Sequence, residues 1–243
     1  MTAYIFEFIG TVVLMLLGNG VVANALLKDT KGSDAGIIGI TIGWSVAVFA
    51  GVFISADASG AHLNPAVTIA FAVAGKFSWN LVPGYIIAQL LGAMLGSSLV
   101  WLSYKKHYEI TEHKTNILNT FTNTPAIKST FWNFVTETIA TFVFVLAIFY
   151  IAGGKISDKP ISLGSLDALP VALLVLGVGI SLGGPTGYAI NPARDLGPRI
   201  MHALLPIKNK GESAWWYAWI PVFGPILGGV LAALVYMIMP TIL

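Results

Sequence analysis

The chain has 243 residues, 56% of them hydrophobic and 10% charged, with 13 Lys and Arg against 11 Asp and Glu and no Cys. Soluble domains carry about 25% charged residues, so this composition, with a mean hydropathy of +0.80, excludes an ordinary soluble fold. A net charge of +2 offers no face for nucleic acid, and the lack of Cys excludes disulfides and thiolate metal sites. A bilayer span needs about 20 apolar residues. Ala3–Leu27 reads as a first span with Glu7 its only charge; without a basic start or a small-residue cleavage site it is not a cleavable leader. Gly36–Ser55 is an uncharged second span, and Pro65–Ala74 is apolar but too short to cross. Leu81–Leu102 follows as a third span, then the polar stretch Ser103–Thr130, which reads as a linker. Phe131–Ala152 contains only Glu137, Ala168–Leu182 is shorter, Gly-rich and uncharged, Pro192–Leu204 is again too short, and Ala214–Ile238 is the last span.

That order predicts an all-α membrane protein of six transmembrane helices plus two half-helices. Each short piece follows a Gly-rich run, Ser59-Gly60-Ala61-His62-Leu63 and Gly183-Gly184-Pro185-Thr186-Gly187. Non-helical backbone at membrane depth is tolerated only inside protein or along a wet cavity, so both runs read as re-entrant loops. The halves repeat: Glu7 lies 57 positions before Asn64, and Glu137 lies 54 before Asn191. Three spans per half is an odd number, which inverts the second half relative to the first. The predicted organisation is a single membrane domain over 1–243, with inverted repeats of approximately 1–104 and 131–243 joined by the linker 105–130.

Both half-helices open on the same tripeptide, Asn64-Pro65-Ala66 and Asn191-Pro192-Ala193. Asn caps free N–H groups and Pro suits the first helical position. Each helix N-terminus carries roughly half a positive charge. Two of them meeting tip to tip make a barrier to cations, while the Asn amides can donate to a hydroxyl or water oxygen. Glu7 and Glu137 are buried acids at matching places. A proton relay is one reading of them; the preferred one is structural, each carboxylate accepting N–H bonds that its half's loop would otherwise leave unsatisfied. Arg194, an intramembrane cation three residues past Asn191, is a functional-site residue by default. Val48, Val175, Leu63 and Ile190 are candidates for an apolar wall, and ordinary core packing explains the valines equally well. Gly39/Gly43, Gly92/Gly96, Gly179/Gly183 and Gly224/Gly228 have the spacing that lets membrane helices approach closely. No nucleophile–base pair, metal cluster or phosphate loop is legible, and His62, His107, His113 and His202 are scattered. The chain is therefore read as no enzyme, with no catalytic residues, metal or cofactor.

The segments Ser59–Thr68 and Gly187–Pro198 resemble the two signatures of the aquaporin family (major intrinsic proteins), and the similarity covers essentially the whole chain. The branch it resembles is the bacterial glycerol facilitators, or aquaglyceroporins. That resemblance implies a homotetramer in the cell membrane and a multi-pass channel that passes glycerol and similar small neutral solutes, with water, while excluding protons and ions. A channel mainly for water, or for undissociated lactic acid or hydrogen peroxide, is the alternative. It implies a constriction at the paired tripeptides and a selectivity filter of Trp44, Gly179, Tyr188 and Arg194. It also implies solute-facing carbonyls at Gly60, Ala61, His62 and Leu63 and at Gly187, Tyr188 and Ala189, with structural support from Glu7, Glu137 and Asp195. Gly179 and Trp44 stand where water-selective members carry His and Phe. Asp195, Pro221 and Val222 are of the glycerol type, and Tyr188 departs from the Phe of many bacterial glycerol facilitators. Lysine counts would put the side bearing Lys28, Lys31, Lys105, Lys106, Lys114, Lys128, Lys208 and Lys210 in the cytoplasm. The resemblance implies the reverse, with Lys76, Lys155 and Lys159 inside, and that orientation is the one expected here.

Overall fold

A computed structural model describes residues 1–151, 155–156, 159–160 and 168–239. The chain runs through α1 (Thr2–Leu26), α2 (Gly36–Ser59), α3 (Pro65–Val73), a 3-10 turn (Trp79–Leu81) leading into α4 (Val82–Ser103), α5 (Lys105–Ile110) and α6 (Lys114–Asn119). It continues with α7 (Thr130–Ile151), α8 (Ala168–Leu182), α9 (Pro192–Leu204) and α10 (Ile220–Ile238). A two-residue antiparallel pair, Lys155–Ile156 with Lys159–Pro160, lies between α7 and α8. Among the described residues, α1, α2, α7, α10 and the stretch Trp79–Ser103 are long and apolar enough to cross a membrane. Helix α8 has 15 residues, about 22 Å at 1.5 Å per residue. Around Lys155 and Lys159, residues 152–154, 157–158 and 161–167 lie outside the described residues.

The helices bury small and polar residues alongside apolar ones and expose large aliphatic residues on the outside. On α1 the buried face is Glu7, Gly10, Thr11, Leu14, Met15, Gly18 and Asn19, whereas Ile5, Ile9 and Leu17 are exposed. Lipid is as apolar as Leu, so nothing drives aliphatic side chains inward, and small and polar residues take the interior where backbones touch. Gly92 and Gly96 of α4 press on α1: a Cβ at Gly92 would sit 2.6 Å from the Phe8 carbonyl oxygen, and one at Gly96 2.7 Å from that of Val12. Gly228 of α10 meets the Thr138 carbonyl of α7 in the same way, and a Cβ there would overlap it. Gly39 meets no other helix at such range; the contact belongs to Gly43, against Val21.

Two expectations change. The last span begins at Ile220, not at Ala214. Ala214 sits at φ 49°, and the carbonyls of Ser213 and Ala214 both accept from Arg199 Nη1, at 2.8 and 3.0 Å, so they are engaged outside any helix. The connection 105–130 is not a polar tether. Tyr108 of α5, Ile117 of α6 and Phe121 just after α6 are buried with Ala23, Leu27, Val100 and Ile207 in a second apolar cluster at one end of the bundle. Asn19 Nδ2 donates to the Phe121 carbonyl at 3.1 Å, tying the connection back to α1.

Candidate functional site

The two short helices begin as their sequences dictate. Asn64 Oδ1 accepts from Ala66 N at 2.9 Å, and Asn191 Oδ1 accepts from Ala193 N and Arg194 N at 3.0 and 3.2 Å. Proline, which has no N–H to leave unpaired, occupies the first turn of each. The tips are bonded reciprocally: Asn64 Nδ2 donates to the Ile190 carbonyl and Asn191 Nδ2 to the Leu63 carbonyl, both at 2.8 Å. An amide nitrogen carries two donors. One from each Asn holds the opposite loop, and the second remains for the cavity that both residues line.

The loops before the two tips share one backbone pattern. Positive φ recurs four, three and one residues before each Asn: Gly60, Ala61 and Leu63 at 78°, 48° and 49°, and Gly187, Tyr188 and Ile190 at 76°, 42° and 45°. For a β-branched residue such as Ile190 this conformation is strained, and it persists only where the surroundings over-determine it. Here the buried carboxylates do so. Glu7 accepts from His62 N at 2.8 Å and Leu63 N at 2.7 Å, with further bonds from Ser59 Oγ and Gln89 Nε2, both at 2.8 Å. Glu137 accepts from Ala189 N and Ile190 N, both at 3.0 Å. Each acid therefore accepts two backbone N–H bonds from the loop of its own half.

A cavity of about 570 Å³ runs past both tips. One wall is apolar and arises from helical spacing: Trp44, Val48, Val52 and Ala56 recur every fourth residue of α2, and Val171 and Val175 do so on α8. Leu14, Val67, Phe71, Phe144 and Ile148 complete it, and Leu63 and Ile190 also reach it. The lining also carries polar groups, with Asn64, Asn191, Arg194 and residues 60–63 and 188–190 among it. Arg194 is 7% exposed, its guanidinium carbon 4.3 Å above the Trp44 ring centroid. Among the described residues that guanidinium has no hydrogen-bond acceptor, so a desolvated cation stacked on an aromatic face keeps its donors for whatever occupies the cavity.

Trp44, Tyr188 and Arg194 meet at this end of the cavity, and Gly179 stands behind them. Gly179 does not line the cavity, because a Cβ there would overlap Thr41 Cγ2 and lie 2.8 Å from Tyr188 Cζ; the Tyr188 ring rests on Gly179 and Gly183. The Trp44 ring rests likewise on Gly18. The Tyr188 hydroxyl is buried beside Thr41 without a bond of good geometry, while Thr41 Oγ1 donates to the Ile37 carbonyl at 2.7 Å. Gly187 is also off the cavity wall: its carbonyl accepts from Asn123 Nδ2 at 2.7 Å. His62 lines the cavity, with Nδ1 3.2 Å from Thr68 Oγ1 and its ring boxed by Phe71, Phe77 and Tyr85.

Asp195 is fully buried and does not reach the cavity. Its Oδ1 accepts from Arg199 Nε and Nη2 at 2.9 and 2.7 Å, and its Oδ2 accepts from Thr122 Oγ1 and from Asn123 N at 2.9 Å. Sequence reasoning did not single out Arg199, Thr122, Asn123, Gly18, Thr41 or Phe144. The only local signal was the Asp195/Arg199 spacing of four residues on one helix, which suits an ion pair. Among the described residues no group of His, Asp and Glu could hold a metal ion.

Comparison with known proteins gives this geometry its relatives. A family model described as Major intrinsic protein matches residues 1–236. The chain is 54% identical over 230 residues to the glycerol uptake facilitator protein of Streptococcus pneumoniae, covering 95% of this chain and 96% of that one. It is 48% identical over 236 residues to the probable glycerol uptake facilitator protein of Thermotoga maritima, covering 97% and 98%. The solved structure of the aquaglyceroporin from Plasmodium falciparum superposes with a TM-score of 0.85 at 34% identity, covering 99% of this chain and 96% of that one.

Proposed function

The chain belongs to the major intrinsic protein family, and on that premise we propose how its cavity conducts and selects. The protein is a multi-pass protein of the cell membrane and a passive channel for glycerol and similar small neutral solutes, not an enzyme. The observation that carries the mechanism is the cavity's mixed lining: apolar Trp44, Val48, Val52 and Val175 together with polar Asn64, Asn191 and Arg194. A polyol has carbon on one edge and hydroxyls on the other. Its hydroxyls exchange water for the spare Asn N–H groups, the Arg194 guanidinium and the loop carbonyls, while its carbons slide along Trp44 and the valines. Binding of this kind is strong enough to enter and weak enough to leave.

In this reading Trp44, Tyr188 and Arg194 form the filter. Gly179 belongs to it indirectly, by leaving room for the Tyr188 ring. Carbonyls of Gly60, Ala61, His62, Leu63, Tyr188 and Ala189 serve the solute; Gly187 anchors the loop instead. Protons and cations are excluded by two effects that add. The N-termini of α3 and α9 both present positive dipole ends at Asn64 and Asn191, and Arg194 places a full charge beyond them. The halves 1–104 and 131–243 act as inverted repeats within one membrane domain, which accounts for the matched positive-φ pattern and the reciprocal Asn bonds. The working unit is a homotetramer, each protomer with its own pathway.

Stopped-flow light scattering of proteoliposomes tests the reading. Mixing into iso-osmolar glycerol should give fast re-swelling, and hyperosmotic sucrose should give fast shrinkage through the accompanying water flux. Shrinkage without glycerol uptake would mean that the Tyr188 ring closes the slot.

A further inference from the structure

We propose that Asn123, in the connection between the halves, is a positioning residue for the filter, setting the Gly187–Tyr188 turn against the first turn of α9. Three polar groups of this one residue go to three places. Its Nδ2 donates to the Gly187 carbonyl at 2.7 Å, its backbone N–H to Asp195 Oδ2 at 2.9 Å, and its carbonyl accepts from Arg199 Nη2 at 3.0 Å. Gly187 immediately precedes Tyr188, and Asp195 immediately follows Arg194. Tyr188 and Arg194 are thus each the immediate chain neighbour of a residue that Asn123 holds. Around it, Thr122 Oγ1 donates to the same Asp195 oxygen, and Ala126 N donates to the Pro185 carbonyl at 2.9 Å.

The need for such a clamp is specific to this loop. Tyr188 holds a bulky side chain at φ 42° where the first loop has Ala61 at the matching position, and a non-Gly residue there costs of order 1 kcal/mol or more. The clamp also demands Gly187, since a Cβ at that position, already at φ 76°, would lie 3.0 Å from Asn123 Nδ2. Removing the amide leaves the turn free to relax, and the first atoms to move are those of the Tyr188 ring. The inference rests on the filter assigned above.

Glycerol and water permeabilities, measured on proteoliposomes at matched protein content, test it through their ratio. Asn123→Ala, and Asn123→Ser as the milder variant, should change the ratio by about threefold or more, the fold-change that the loss of one hydrogen bond carries. Asn116→Ala is the control. It loses a comparable bond from the same connection, Asn116 Nδ2 to the Leu26 carbonyl at 3.1 Å, without touching the loop. It should lower the thermal midpoint and leave the ratio unchanged. If the Asn123 variants lower the midpoint but keep the wild-type ratio, Asn123 is only a strut and the proposal fails. Arg194→Val separates the two levels. If that variant changes the ratio and the Asn123 variants do not, this inference alone is overturned. If it too leaves the ratio and proton exclusion unchanged, the filter assignment falls and takes this inference with it.

Discussion

At the scale of single residues, the cavity works through side chains whose partners are already spoken for. Asn64 and Asn191 spend one amide donor on the opposite loop and their oxygens on their own helices, so their remaining donors are held rigidly. Arg194 has its charge stacked on Trp44, and among the described residues its guanidinium has no acceptor. Replacing it with Val should raise proton conductance, read with an internal pH dye in proteoliposomes, by about tenfold or more, since one desolvated charge is worth at least about 1.4 kcal/mol there. A variant that stays tight would assign exclusion to the helix dipoles alone. Gly179→His should cut glycerol permeability more than about tenfold while sparing part of the water flux, because the new side chain must displace the Tyr188 ring by roughly 1 Å. Unchanged glycerol flux would show that the Tyr188 ring does not bound the solute.

The tightest helix crossings here are made by glycines. The α10·α7 crossing brings Gly228 onto the Thr138 carbonyl, and the α4·α1 crossing brings Gly92 and Gly96 onto those of Phe8 and Val12. In lipid such close approach supplies the dispersion and weak backbone contacts that replace a hydrophobic drive. Gly228→Leu should therefore cost about 1–3 kcal/mol of stability by overpacking, seen as a lower thermal midpoint in detergent. Gly177→Leu, where nothing lies within 4 Å of the added carbon, should leave it unmoved. The half-helices could be read from sequence because an Asn-Pro start is a local signal. The wall formed by Trp44, Val48, Val52 and Ala56 could be read in part, since a four-residue period puts them on one face. The Phe144 and Ile148 share of that wall could not, because its face is set by how α7 crosses its neighbours.

The whole molecule has two distinct ends. The α1–α2 connection, the folded connection 105–130 and the α9–α10 connection gather at one end, where Lys28 N donates to Thr111 Oγ1 at 3.0 Å and the His107 ring nitrogen lies 2.9 Å from the Lys28 carbonyl oxygen. At the other, Lys76 Nζ sits 4.9 Å from the Tyr236 ring centroid. Lysine counts and family resemblance disagree on which end faces the cytoplasm, and the absence of Cys makes the question directly measurable. An impermeant maleimide should label Lys31→Cys on intact cells and Lys76→Cys only after permeabilisation. The opposite pattern would restore the positive-inside assignment.

Sequence alone determined what is local or periodic: the membrane class from composition, the order of the long apolar elements from apolar length, the half-helix starts from Asn-Pro, and the matched acids from their similar spacing to them. Tertiary structure alone decided what depends on chain segments far apart in sequence. It set the late start of α10, whose preceding carbonyls are taken by Arg199. It turned Gly179 and Gly183 into a seat for Tyr188. It brought Thr122 and Asn123 onto Asp195 from more than seventy residues away. Spacing rules describe neighbours on one helix or strand. A buried carboxylate takes its donors from whichever segment the fold delivers, and no local pattern records that choice.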